Sequence, residues 1–162
     1  MHTRVSLTPR LYFSYGQFMV YDQSVAAPGC LWTASHTAQG FARRESTVCF
    51  RTLFECGYAD VTSELGSFVN AEIYERVIAV PFLVVTGTVV IDGPDENNVR
   101  RIVNIPNGTY RLIAAQCAID DEGELIELFF EKRDEPLKQS AVIVADRQLN
   151  VPDSLLELAD IA

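Results

Sequence analysis

Histidine is nearly missing from this chain. His2 and His36 are all it has in 162 residues, and Trp32 is its one tryptophan. So little imidazole excludes most general-base schemes, which depend on a group titrating near neutral pH. No Ser-His-Asp order, no H-E-x-x-H and no glycine-rich phosphate loop occurs. The four cysteines, Cys30, Cys49, Cys56 and Cys117, contain no C-x-x-C pair, and two histidines cannot complete a zinc set around them. Buried apolar thiols in a reducing compartment are the plain reading, with His36 as the one base a reactive cysteine would have. The expectation is a protein that is not an enzyme and holds no cofactor and no metal. No apolar run approaches the length of a membrane span. The opening Met1–Arg10 lacks the apolar core of a signal peptide, which predicts a cytoplasmic chain.

Positive charge is also in short supply. Thirteen Lys and Arg face 22 Asp and Glu, for a net charge of −9. The imbalance is local: residues 1–81 carry six bases and seven acids, whereas residues 82–162 carry seven and fifteen. The densest stretch, Asp120–Glu135, has eight acids against two bases. Nucleic-acid binding is disfavoured, because a polyanion gains from Lys and Arg at its phosphates. A basic protein partner would be attracted instead, and its encounter accelerated. A solvated, solubilising face accounts for the same charge.

What the chain does have is β-sheet patterning. Runs rich in Val, Ile, Phe and Tyr alternate with Gly, Pro, Asn and Asp turns. Strands are predicted near 11–22, 47–55, 57–65, 74–84, 87–92, 99–105, 109–118, 125–132 and 140–146. Cys56-Gly57 marks a bulge or turn, and Pro106-Asn107-Gly108-Thr109 reads as a hairpin. A short turn is expected at Thr33–Gln39, and a short C-terminal helix at Asp153–Ala159 capped by Asp153. The fold class expected is all-β, an antiparallel β-sandwich with a short C-terminal helix. No repeat or linker divides the chain, so residues 1–162 are read as one domain with a tail from about 147. Phe13 or Phe18, Phe50, Phe54, Val80, Phe82, Leu112 and Phe129 are the candidate core.

Two segments stand out as candidate binding surfaces. The first is the acidic loop Asp120-Asp121-Glu122-Gly123-Glu124, where Gly123 would permit a sharp turn and flanking strands would hold the carboxylates rigidly; Glu127 follows on the next strand. The second is Trp32 with Phe41 and the pair Arg43-Arg44, since Trp and Arg combine large area with a polar handle. Trp32 and Phe41 could equally plug one end of the core. A calcium- or ligand-binding β-sandwich module is the alternative, with oxygens from Asp92, Asp95 and Glu96 or from Asp120 to Glu124. That spacing matches no defined calcium loop.

An ordered set of short pieces points further. Ser14-Tyr15, Gln17-Phe18 and Val20 precede Trp32, then Gly40-Phe41-Ala42, Glu75-Arg76-Val77 and Val80-Pro81-Phe82. Ile105-Pro106-Asn107-Gly108-Thr109-Tyr110-Arg111-Leu112 completes the series. Over about residues 11–117 this order resembles the ComJ family of competence proteins, small intracellular inhibitors of a DNA-entry nuclease. The resemblance implies a non-catalytic inhibitor or immunity protein that binds a nuclease; the charge of this chain adds the expectation that an acidic surface meets the partner's basic DNA-binding groove. No contact residues follow from the resemblance, so Asp120, Asp121, Glu122, Glu124, Glu127, Trp32 and Arg43 rest on charge and residue type.

Overall fold

The computed structural model describes residues 3–5, 10–94 and 100–162, with side chains described from Arg10 onward. Asp95 and Glu96, two of the acids considered for calcium, lie outside the described residues. Twelve strands and one short helix are present among the described residues. Strands β1 (Thr3–Val5), β2 (Leu11–Phe13), β6 (Gly57–Leu65), β7 (Arg76–Val84), β10 (Gly108–Ala118), β11 (Gly123–Arg133) and β12 (Ala141–Val144) form the first sheet. Its order is β1-β6-β11-β10-β7-β12, with β2 also on β6. The second sheet runs β4 (Phe41–Arg44), β5 (Thr47–Arg51), β3 (Gln17–Asp22), β8 (Thr88–Asp92), β9 (Arg101–Asn104).

Both sheets supply one core. Phe18, Phe41, Phe50 and Ile91 of the second sheet cluster with Leu11, Val80, Phe82, Leu112 and Phe130 of the first. Phe18 stacks on Phe50 at 5.3 Å, and Phe130 meets Phe82 and Tyr110 edge-on at 6.0 Å. Burying such side chains contributes about 1.5–3 kcal/mol each. Phe13, Phe18, Phe50, Val80, Phe82 and Leu112 therefore lie where period-two patterning puts them, and Phe54 packs partly buried against the same cluster. Phe129 does not. It points to the other face of the first sheet, against Phe68 at 5.2 Å, and Leu128 and Phe130 take the inward positions.

Four departures from the sequence reading have physical causes. The sheets are not wholly antiparallel, because β6 and β11 pair in parallel, Gly123 opposite Tyr58 through Phe130 opposite Leu65. Predicted strand 11–22 is broken by a turn at Tyr15-Gly16, where both residues adopt left-handed backbone (φ 61° and 64°). The Asn107-Gly108 turn is not a hairpin: it carries the chain from β9 in one sheet to β10 in the other. Strand β4 escapes the pattern because Phe41, Ala42 and Arg43 are all buried, leaving no alternation to detect.

The C-terminal helix is absent. Residues 153–159 are irregular, and a single bridge joins Ile161 to Cys30. Tertiary hydrogen bonds replace those a helix would make. The buried Gln39 side chain donates to Leu156 O (2.9 Å) and accepts from Leu156 N (2.8 Å), as a neighbouring strand would. Ala159 N donates to Arg43 O at 2.9 Å and Leu31 N to Asp160 O at 2.8 Å. The one helix, α1 (Ala34–Gln39), begins at Thr33, which closes a capping box with His36, and ends at left-handed Gly40. The tail thus runs along the free edge of β4, and Ala159 packs with Cys30, Ala42 and Cys49.

Candidate partner-binding site

At one end of the molecule, the β10–β11 hairpin, the start of β6 and the β2–β3 turn come together. The hairpin tip, Ile119–Glu122, is exposed and closed by Ile119 N donating to Gly123 O at 2.8 Å. Asp120 organises it internally. Its carboxylate accepts from Glu122 N (2.9 Å), Gly123 N (2.8 Å) and the Tyr58 hydroxyl (2.5 Å). Those bonds, the Tyr58 hydroxyl foremost, hold Asp120 below the usual carboxylate range. Asp121 and Glu122 project beside it, and Arg10 lies over the Tyr58 ring at 4.1 Å while pairing with Asp60 at 3.2 Å.

The hairpin is clamped onto β6. Tyr58 N donates to Glu122 O at 3.0 Å, and a Cβ on Gly57 would lie 2.0 Å from that same oxygen. Gly123 is required for a different reason than a sharp turn. A Cβ there would sit 2.0 Å from the Tyr58 ring. Gly123→Ala is expected to lower stability by about 2–3 kcal/mol, because the ring is held by Asp120 and Arg10 and cannot simply rotate away. Urea denaturation measures this, and shortening the ring as well, in Gly123→Ala/Tyr58→Ser, should make the two changes non-additive.

Next along the same end, exposed Glu55 abuts the β2–β3 turn: Gly16 N donates to Glu55 O at 2.7 Å. Tyr15, at the turn's tip, is 76% exposed despite its left-handed backbone. Tyr12, opposite Tyr58 in the β2–β6 pairing, is also exposed. Trp32 joins this surface through a shallow groove of about 290 Å³ that it shares with Tyr15, Gln17, Arg51 and Glu55. Its indole N–H donates to Gln17 Oε1 at 3.0 Å, which fixes the ring as one wall. The structure therefore connects Trp32 to the acidic hairpin through Tyr15, Glu55 and Gly57.

Three sequence candidates fall elsewhere. Glu124 is fully buried, accepting from Leu53 N (2.8 Å) and Gln116 Nε2 (2.9 Å), so it offers no charge to a partner. Burial outweighs those bonds and pushes its carboxyl up to about 7. Arg43 is also buried, donating through Nη1 to Glu157 O at 2.9 Å, because β4 is covered by the tail. Glu127 sits half-buried on the outer face of the first sheet, where it accepts from the Tyr74 hydroxyl at 2.8 Å. The exposed tyrosines are what sequence reasoning misses. The Tyr-rich start of the chain signals strand first, and only the left-handed turn reveals that Tyr15 faces water.

Beneath the site lies a polar cluster. The fully buried Arg76 grips Asp146 with two bonds (Nε–Oδ1 2.9 Å, Nη2–Oδ2 3.0 Å) and donates to Arg51 O at 2.7 Å and Thr52 O at 3.3 Å. Gln148 accepts from Arg76 at 3.0 Å and donates to Leu53 O at 2.9 Å. These bonds, with that from Leu53 N to Glu124, fix the segment from Arg51 to Leu53 that leads into Glu55 and Gly57. Among the described residues no cluster of three or more His, Cys, Asp or Glu is placed to hold a metal ion. No helix among them is long and apolar enough to cross a membrane.

Known proteins share this outline. A family model described as Competence protein J (ComJ) matches residues 10–141. The fold is similar to the crystal structure of ComJ, inhibitor of the DNA degrading activity of NucA, from Bacillus subtilis. That match has a TM-score of 0.72 at 21% identity and covers 82% of this chain and 99% of the other. A second similar fold, crocagin biosynthetic gene J, gives a TM-score of 0.51 at 17% identity, covering 80% of this chain and 96% of that one. No curated protein sequence matches significantly. The family match extends past the 11–117 span legible in the motifs, and residues 142–162 lie beyond it.

Proposed function

The chain belongs to the competence protein J (ComJ) family, and from that premise we propose that it is a non-catalytic inhibitor of a DNA nuclease. The nuclease-facing surface in this reading is the end formed by Tyr12, Tyr15, Trp32, Glu55, Asp121 and Glu122. The observation that carries it is the meeting of the exposed Glu55, Asp121 and Glu122 with the exposed Tyr12 and Tyr15 and the hydrogen-bonded Trp32 ring on one contiguous edge. A nuclease presents a basic groove shaped for phosphate. Carboxylates on a clamped hairpin offer that groove negative charge without a scissile bond, and little conformational entropy is lost on docking. Tyrosine and tryptophan supply the desolvated area that charge alone lacks. The solved relative is described as an inhibitor of NucA, which makes NucA and any nuclease encoded beside this chain the partners to assay.

The test is DNA cleavage by such a nuclease with increasing amounts of the protein. Stoichiometric suppression is expected, with association slowing as salt rises through the range where the Debye length falls from about 30 Å to about 8 Å. Undiminished cleavage at saturating protein by every nuclease in the panel contradicts the proposal.

A further inference from the structure

The C-terminal tail is hydrogen-bonded to two parts of the molecule at once. One is β4, where Ala159 N donates to Arg43 O at 2.9 Å and Arg43 Nη1 donates to Glu157 O at 2.9 Å. The other is the segment from Gly29 to Gln39. Gln39 holds both main-chain groups of Leu156, Leu31 N donates to Asp160 O at 2.8 Å, and Ala162 N donates to Gly29 O at 3.3 Å. His36 adds a bond of fixed polarity. Its Nδ1 accepts from Thr33 N at 3.1 Å, so the ring proton is on Nε2, which donates to Leu158 O at 3.2 Å.

Trp32 lies within the second of these parts. Leu31 precedes it, and Thr33, the cap of α1, follows it. Residues 31–33 belong to no strand or helix, so no ladder supplies partners for their backbone, and Leu31 N finds its acceptor in the tail. The bond from the indole to Gln17 fixes one atom of the ring and leaves the backbone beneath it unsecured. The ring itself packs, as Ala159 does, against the cluster of Cys30, Ala42 and Cys49. Residues 142–162 lie beyond the family match, so this support comes from a segment that the family model does not include.

We propose that residues 156–162 are a strap that holds Trp32 in place as a wall of the groove, which makes the tail a positioning element of the nuclease-facing end. The functional half of this inference rests on the nuclease reading. A loop that carries an aromatic ring and is free to move must be ordered when a partner docks, and that ordering weakens binding. The strap bonds order it beforehand, so their loss should appear in the lifetime of the complex. Encounter is governed by the exposed carboxylates and should not change.

A chain ending at Ala159 tests the strap. Asp160, Ile161 and Ala162 are all exposed, and removing them cuts the bonds to Leu31 and Gly29 while leaving those of Gln39, His36 and Arg43. Trp32 is the one tryptophan, so quenching of its fluorescence by acrylamide reports on this wall alone, and quenching should rise in the shortened chain. With a nuclease that the wild type suppresses, the complex should dissociate about two- to tenfold faster, with the association rate and its salt dependence unchanged. A purely structural role would lower the folded fraction and leave the quenching and dissociation of the folded protein as they were. The wild-type chain supplies a further measurement: the Leu31 amide should exchange with solvent at least about tenfold more slowly than in an unstructured chain. Unprotected exchange at Leu31 overturns the strap, as does unchanged Trp32 quenching in a folded shortened chain. Increased quenching with an unchanged dissociation rate overturns its positioning role and leaves the nuclease reading intact. If the wild type inhibits no nuclease, the nuclease reading falls by itself, and quenching and exchange still decide the strap.

Discussion

Arg76→Ala should lower the free energy of unfolding by about 3–5 kcal/mol, among the largest effects of any single substitution in this protein. Arg76 is fully buried, and its guanidinium satisfies Asp146, Gln148 and two backbone carbonyls, Arg51 O and Thr52 O. Truncation leaves the Asp146 carboxylate without its cation and strips donors from two carbonyls, while opening a void the size of the side chain. Arg76→Lys should fall between, because an ammonium keeps the charge but cannot form the two-bond fork on Asp146. Urea denaturation of the three proteins measures both steps. A loss below about 1 kcal/mol in Arg76→Ala would mean that the cluster is dispensable to the fold.

Raising the pH should destabilise the protein through Glu124. Its carboxyl is pushed by burial up to about 7 from an ordinary value of 4.5. The folded pKa lies above the unfolded one, so the neutral form is the favoured folded species. The associated stability is complete below about pH 4.5 and is lost as pH rises through 7. A shift of this size corresponds to about 3 kcal/mol across that window. Glu124→Gln removes the titration and keeps an acceptor for Leu53 N. The variant should match the wild type near pH 4.5 and exceed its stability at pH 8. Parallel stability curves for the two proteins would rule out Glu124 as the titrating group.

Much of the fold is legible because its signals are local. Strands β5 to β11 lie close to where apolar runs between Gly, Pro and Asn turns put them, since side-chain alternation depends only on neighbours in sequence. The parallel pairing of β6 with β11 is not legible, because residues 58 and 123 meet only through the assembled sheet. The C-terminal segment shows the same limit. Asp153 followed by Leu155, Leu156 and Leu158 reads as a capped helix until Gln39, 117 residues from Leu156, supplies the hydrogen bonds. At the site, the acidic loop is recognisable from charge density, and the structure keeps Asp121 and Glu122 on the surface. Glu124 looks identical in sequence, yet its place on β11 turns its carboxylate inward beneath Leu53. Arg43 reads as a surface cation and is buried because the tail covers β4, which no pattern in the sequence encodes.

The triple variant Glu55→Gln/Asp121→Asn/Glu122→Gln tests the central claim most directly. All three residues are exposed, so neutralising them should leave stability within about 1 kcal/mol of the wild type. Asp120 is left intact because it closes the hairpin. The measurement is inhibition of DNA cleavage, by wild type and variant, of a nuclease that the wild type suppresses. If this end faces the enzyme, the variant should bind more weakly by about 1–3 kcal/mol, mainly through slower association at low salt. A normally folded variant that inhibits as tightly as the wild type would contradict the assignment of this end as the nuclease-binding surface.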